Sequence, residues 1–145
     1  MSDKTVIVSA CLLGIPTRYD GTDAFDPEAL RELAGAAVIP VCPEQLGGLP
    51  TPRPKAWITR GTGQDVLRGA SRVIDEYDND ATARFLSGAE AVLKIAGLCG
   101  AKAAFLKEKS PSCGVTRIHS EDALVTGNGV TAALLEKNGV SVRGF

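Results

Sequence analysis

Three of the four cysteines stand where predicted β-strands run out into loops rich in glycine and proline. Cys11 follows the apolar run at residues 5–10, Cys42 follows the run at 37–41, and Cys113 comes just after the run at 103–107. If these strands are parallel neighbours in one sheet, their carboxyl ends share an edge. Thiols remote in sequence then meet in the crevice where open α/β sheets place their ligands. Three soft sulfur donors without an obvious fourth suggest a metal or cluster that keeps one position open for chemistry.

Strand and helix alternate along the chain, which predicts the α/β class: one compact domain over residues 1–145 with a mostly parallel, Rossmann-like sheet flanked by helices. A chain of 145 residues is long enough to bury a real core. After residues 12–25, a long loop, a short helix starts well. Asp26 can cap it, Pro27 suits its first position, and Leu30, Leu33 and Ala34 supply an apolar face. Segment 43–63 is rich in glycine and proline and is expected to be irregular; loops this long inside a domain usually form a site or a lid. Residues 64–75 read as a strand pair or hairpin around Gly69. Asp80 is expected to cap a long helix over 81–98, in which Phe85, Ala89, Val92, Ala96 and Cys99 recur at 4-3-4-3 spacing as one buried stripe. A weak strand near 123–125, a helix over 130–137 ended by Asn138-Gly139, and an edge strand at 141–143 complete the pattern.

Hydrophobic residues make up 44% and charged residues 23%, as in an ordinary soluble domain. The net charge of −1 argues against a broad surface for nucleic acid or anionic membrane. No apolar run approaches the roughly 20 residues of a membrane span. Met1-Ser2-Asp3-Lys4 leads straight into a strand without a signal-peptide pattern. A cytoplasmic protein with reduced thiols is therefore expected. The cysteine spacing fits neither a disulfide scaffold nor a CxxC redox pair.

Several residues near the thiols could carry chemistry. Glu44, two residues after Cys42, could enter the same crevice as an acid or base, or be a solvated loop carboxylate. Ser110 and Ser112 could hydrogen-bond a cluster sulfur or a substrate, or simply build a turn. Arg18 and Arg53 border these motifs, open either to a phosphate or to acids such as Asp20. Cys99 reads as core. His119, the only histidine, reads as a surface loop residue, and a Cys-His nucleophile pair would have to rely on it. The spacing of a closed four-ligand zinc site is missing, and Gly61-Thr62-Gly63 and Gly127-Asn128-Gly129 are too short for a phosphate loop. Iron–sulfur clusters are ordinarily held by four cysteine thiolates; with three, one iron keeps an exchangeable position and can act as a Lewis acid.

Five motifs occur in order: Ser-Ala-Cys-Leu-Leu-Gly, Arg-Tyr-Asp-Gly, Cys-Pro-Glu, Gly-Gly-Leu-Pro-Thr-Pro-Arg and Lys-Ser-Pro-Ser-Cys-Gly. Together with the Gly-Asn-Gly-Val-Thr-Ala opening of the last helix, they resemble the thiouracil desulfurase family almost end to end. The resemblance implies a small α/β domain whose 4Fe–4S cluster is bound by three cysteines. It also implies non-redox, hydrolytic removal of sulfur from a small thiolated pyrimidine such as 2-thiouracil, yielding uracil and sulfide. By motif, Cys11, Cys42 and Cys113 would be the cluster ligands, Glu44 the acid/base residue, and Ser110 a residue that orients substrate or assists proton transfer. Family members often carry a second cysteine just before Arg-Tyr-Asp-Gly; here that position is Thr17. The alternatives from other classes are a protein that carries a cluster, zinc or persulfide without turnover, and a transferase using Cys113 or Cys42 as nucleophile.

Overall fold

Val6, Ile7 and Val8 are wholly buried, which for consecutive strand residues requires a sheet covered on both faces. The computed structural model describes residues 4–145; Met1 to Asp3, read above as a short lead into the first strand, lie outside the described residues. Strand β1 (Thr5–Ser9) pairs in parallel with β2 (Ala37–Val41) on one side and β5 (Ala103–Leu106) on the other, and β8 (Ser141–Gly144) joins β5. The order is β2-β1-β5-β8. This is the parallel α/β sheet expected from the strand–helix alternation. Pro40 stands exposed in β2, the edge strand.

Alternate residues of β1 serve opposite faces. Ile7 packs with Val92, Ala96, Ala132 and Leu135, contributed by α4 (Thr82–Cys99) and α5 (Val130–Lys137). Val6 and Val8 pack with Leu12, Leu33 and Phe105, beneath a 3-10 helix (Ala10–Leu13) and the end of α1 (Pro27–Glu32). A third cluster joins Phe85, Ala89 and Val130 to Ile58, Val66, Val73 and Ile118. It ties the antiparallel pair β3 (Ala56–Ile58) and β4 (Val73–Asp75), with α3 (Gly63–Leu67), onto the helical layer. A second antiparallel pair, β6 (Arg117–His119) and β7 (Leu124–Thr126), follows the Cys113 turn.

Several expectations need correction. Asp26 does cap α1, its Oδ1 accepting the amides of Glu28 and Ala29 at 2.9 and 3.1 Å. The buried face, however, is Ala29 and Leu33; Leu30 and Ala34 point outward. A helix of six residues presents one narrow stripe, and Leu33 at its end reaches Val6 and Val8. Segment 43–63 is not irregular throughout, since it holds α2 (Pro43–Leu46) and β3. Residues 64–75 do not form a hairpin at Gly69: they hold most of α3 and then β4, whose partner is β3. The start of α3 had a local signal in Thr62-x-x-Asp65, where the Thr62 amide donates to Asp65 Oδ2 at 2.8 Å. Helix α4 begins at Thr82, with Asp80 Oδ1 accepting the Thr82 amide at 2.8 Å. Cys99 is exposed rather than core. Gly100 turns the chain through a left-handed conformation, and Ala101, bonded to the Ala96 carbonyl at 2.9 Å, takes the buried place instead.

Two contacts fix the loops that matter for the site. Helix α2 lies so close on α4 that a Cβ at Gly88 would collide with the Pro43 carbonyl oxygen, and one at Gly47 with that of Arg84. Glu108 Oε1 accepts the Val115 and Thr116 amides at 2.8 and 3.0 Å, while Oε2 accepts the Thr116 hydroxyl at 2.7 Å. Partial burial works against the Glu108 carboxylate, but these donors prevail and hold its pKa below the ordinary 4.5.

Gly88→Ala is expected to destabilise the protein by about 1–3 kcal/mol, read from the urea midpoint, because backbone must move to admit the methyl group. Glu108 contributes stability that is fully present above pH 4.5 and is lost as pH falls through its depressed pKa. Glu108→Gln should therefore lower the melting temperature at pH 7 and flatten its fall below about pH 4.5.

Candidate functional site

The strand order sets the site. The chain leaves β1 toward β2 and later returns to the other side of β1 as β5, so β1 is the switch point outside whose carboxyl end α/β sheets bind ligands. A crevice of about 470 Å³ opens there, lined by Cys11, Cys42, Cys113, Glu44 and Ser110 among others. The five residues to which the family resemblance gives roles share it, as do Arg18 and Arg53, whereas Ser112 is not among its lining residues.

Each side chain is held by its own loop. Cys11 lies in the 3-10 helix that continues β1, with its carbonyl accepting the Ala24 amide at 2.9 Å. Cys42 immediately precedes α2, which is pressed onto α4. Cys113 ends a turn that α5 fastens: the Val130 amide donates to the Pro111 carbonyl, the Thr131 amide donates to that of Ser112, and the buried Ser112 and Thr131 hydroxyls meet at 2.7 Å. Ser110 Oγ accepts the amides of Ser112 and Cys113 at 3.1 and 3.0 Å. Both of its lone pairs are thus committed, and its O–H remains a donor.

Glu44 is no solvated loop carboxylate. Its Oε1 accepts Arg53 Nε at 2.9 Å, in an ion pair whose guanidinium is almost wholly buried. Arg53 is therefore engaged and not open to a phosphate. Asp20 pairs with neither arginine; it accepts the Thr22 hydroxyl and amide at 2.6 and 3.1 Å. Thr17 is buried at the crevice wall, its hydroxyl donating to the Ile15 carbonyl at 3.3 Å.

All four cysteines are free thiols. Burial pushes Cys11, Cys42 and Cys113 above the ordinary thiol pKa. Lys107 works against this at Cys11, whereas Cys42 adds to it; Cys11, Cys42 and Glu44 together raise Cys113 further. Bare thiolates are disfavoured here, the reverse of an activated cysteine nucleophile. A cationic centre that took the three sulfurs as thiolates would remove that penalty. Among the described residues, no three His, Cys, Asp or Glu side chains are gathered around a single point. Soft sulfurs on three walls of one crevice suit corner ligation of an iron–sulfur cluster.

Other residues of the wall were missed in reading the sequence. His119 sits in β6 at the crevice and not in a surface loop. Partial burial, then Lys109, Lys55, Lys107 and Arg18, push its pKa below the ordinary 6.5, which favours the neutral ring at pH 7. Tyr19 and Trp57 line the crevice as well. The alternation Arg117-Ile118-His119, exposed-buried-exposed, was the available signal for β6.

The sequence profile of the 2-thiouracil desulfurase family matches residues 6–144. Uncharacterized protein YbbK of Bacillus subtilis (strain 168) is 40% identical over 140 residues, covering 94% of this chain and 93% of that protein. A solved structure of the 4Fe–4S-dependent thiouracil desulfidase TudS superimposes with a TM-score of 0.80 at 40% identity, covering 98% of this chain and 91% of that one. With the strand-end thiols, the crevice and a match over nearly its whole length, the chain belongs to the 2-thiouracil desulfurase family.

Proposed function

We propose that this protein is a 4Fe–4S-dependent desulfidase that removes the sulfur of a small thiolated pyrimidine such as 2-thiouracil by hydrolysis, releasing uracil and sulfide. The observation that carries this reading is the gathering of three free thiols, Glu44 and Ser110 around one crevice, in a chain so similar to a thiouracil desulfidase. Cys11, Cys42 and Cys113 would hold the cluster. When bound, it supplies a Lewis-acidic iron with one exchangeable position suited to a soft sulfur atom.

The protein's own residues do the remaining work. The Ser110 hydroxyl donates to a polar atom of the ring. Among the described residues, Glu44 Oε1 is committed to Arg53 while no hydrogen bond engages Oε2. Oε2 takes a proton from water as its oxygen forms the new bond to the thiocarbonyl carbon, then returns that proton to the departing sulfur. Oε2 relays the remaining proton of the added hydroxyl in the same way, so the C=S double bond is replaced by a C=O double bond and both protons of water leave with the sulfide. Tyr19 and Trp57 offer aromatic walls to a flat base. The free thiols suit a reducing cytoplasm, and no helix among the described residues is long and apolar enough to cross a membrane.

Anaerobic reconstitution is expected to give a brown protein with about four irons per chain, releasing sulfide from 2-thiouracil. Serine at Cys11, Cys42 or Cys113 should each reduce the visible absorption. Glu44→Gln should abolish turnover and leave that absorption intact. A colourless protein that takes up zinc instead would overturn the enzyme reading, and an active Glu44→Gln variant would remove Glu44 from the reaction.

A further inference from the structure

Arg53 carries the most deeply buried charge at the crevice: its side chain is 4% exposed, against 16% for Glu44. Every N–H of its guanidinium is used. Nε donates to Glu44 Oε1 at 2.9 Å. One terminal nitrogen donates to the Pro50 carbonyl and the Thr51 hydroxyl at 3.2 and 2.8 Å. The other donates to the Thr17 carbonyl at 2.9 Å and to Cys42 Sγ at 3.8 Å. A single rigid fork therefore touches both the carboxylate and one of the thiols.

We propose that Arg53 is a positioning residue for desulfuration, fixing the Glu44 carboxylate and the Cys42 sulfur relative to one another; this rests on the roles given above to Glu44 and Cys42. A buried guanidinium is stable only with its hydrogens satisfied and its charge compensated. Glu44 supplies one anion. Cys42 supplies the second once it binds metal as a thiolate, and the N–H···S contact then becomes charge-assisted. Such contacts orient metal ligands, and donors to ligating sulfur help to set a cluster's reduction potential. Holding Oε1 through Nε also leaves Oε2 as the oxygen that exchanges the proton. Lysine cannot substitute, because one ammonium cannot span Glu44, Thr17 and Cys42 in this planar arrangement.

The test uses reconstituted protein carrying Arg53→Met or Arg53→Lys, with Glu44→Gln alongside. Iron content, cluster reduction potential, kcat and KM for 2-thiouracil are measured for each. In both arginine variants, kcat per cluster is expected to fall about 10–100-fold, with KM within about twofold. The potential should move to more negative values as the sulfur loses its donor. If Arg53→Met fails to fold, Arg53→Lys carries the test, since its ammonium keeps the pair with Glu44. Wild-type kcat per cluster and an unmoved potential in the folded variants, even with lower iron loading, would reduce Arg53 to a structural clamp and overturn the proposal. An active Glu44→Gln overturns the acid/base role alone, because the potential still judges Arg53 at Cys42. A wild-type protein that takes up no iron overturns both.

Discussion

The in-register parallel pairing of β2, β1 and β5 is the constraint on which the site depends. Ser9 lies opposite Val41, and Val8 opposite Phe105, so Cys11 and Cys42 leave the sheet at one level and the chain beyond Leu106 departs from the same edge. The register is held from both faces, with Ile7 facing α4 and α5 while Val6 and Val8 face the 3-10 helix and Leu33. A slip of one residue would exchange these sets and move each strand exit.

Strand ends bring the thiols to one crevice, and each loop fixes the side chain it carries. The Cys42 loop is pressed onto α4 where two glycines allow backbone to approach backbone. The Cys113 turn is fastened to the first turn of α5 and cinched by Ser110. Each side chain is thus carried by a segment bound to a regular element, as a preorganised site requires. Arg53 adds the link between segments, joining residues 17, 42, 44, 50 and 51 through one side chain.

Much of this was legible because its signals are local or periodic. The cysteines at strand ends, the Asp26-Pro27 start of α1, the stripe from Phe85 to Ala96 and the helix ending before Gly139 all announce themselves in short windows. What stayed hidden depends on distant contacts. Four residues of α2 carry no periodicity, and the helix is held by its fit on α4. β3 finds its partner across an intervening helix. The place of His119 at the crevice depends on a three-residue strand folding back beside the Cys113 turn. Arg53 and Glu44 stand nine positions apart, and their pairing depends on the chain beyond Leu46, whose course no propensity specifies. Cys99 misled because its spacing continued the stripe to the last residue of α4, where the turn at Gly100 gives the buried place to Ala101 instead.

Pro40 has a consequence for how the protein lives in a crowded solution. Proline is tolerated in a sheet where its imino nitrogen faces outward from an edge strand, and β2 is such a strand. A foreign strand approaching alongside Ala37, Val38 and Ile39 meets a missing donor and a pyrrolidine ring partway along. At the far side, Arg143 of β8 lies over the rings of Phe105 and Phe145 and pairs with Glu32. The sheet is thereby discouraged from templating its own extension into polymers.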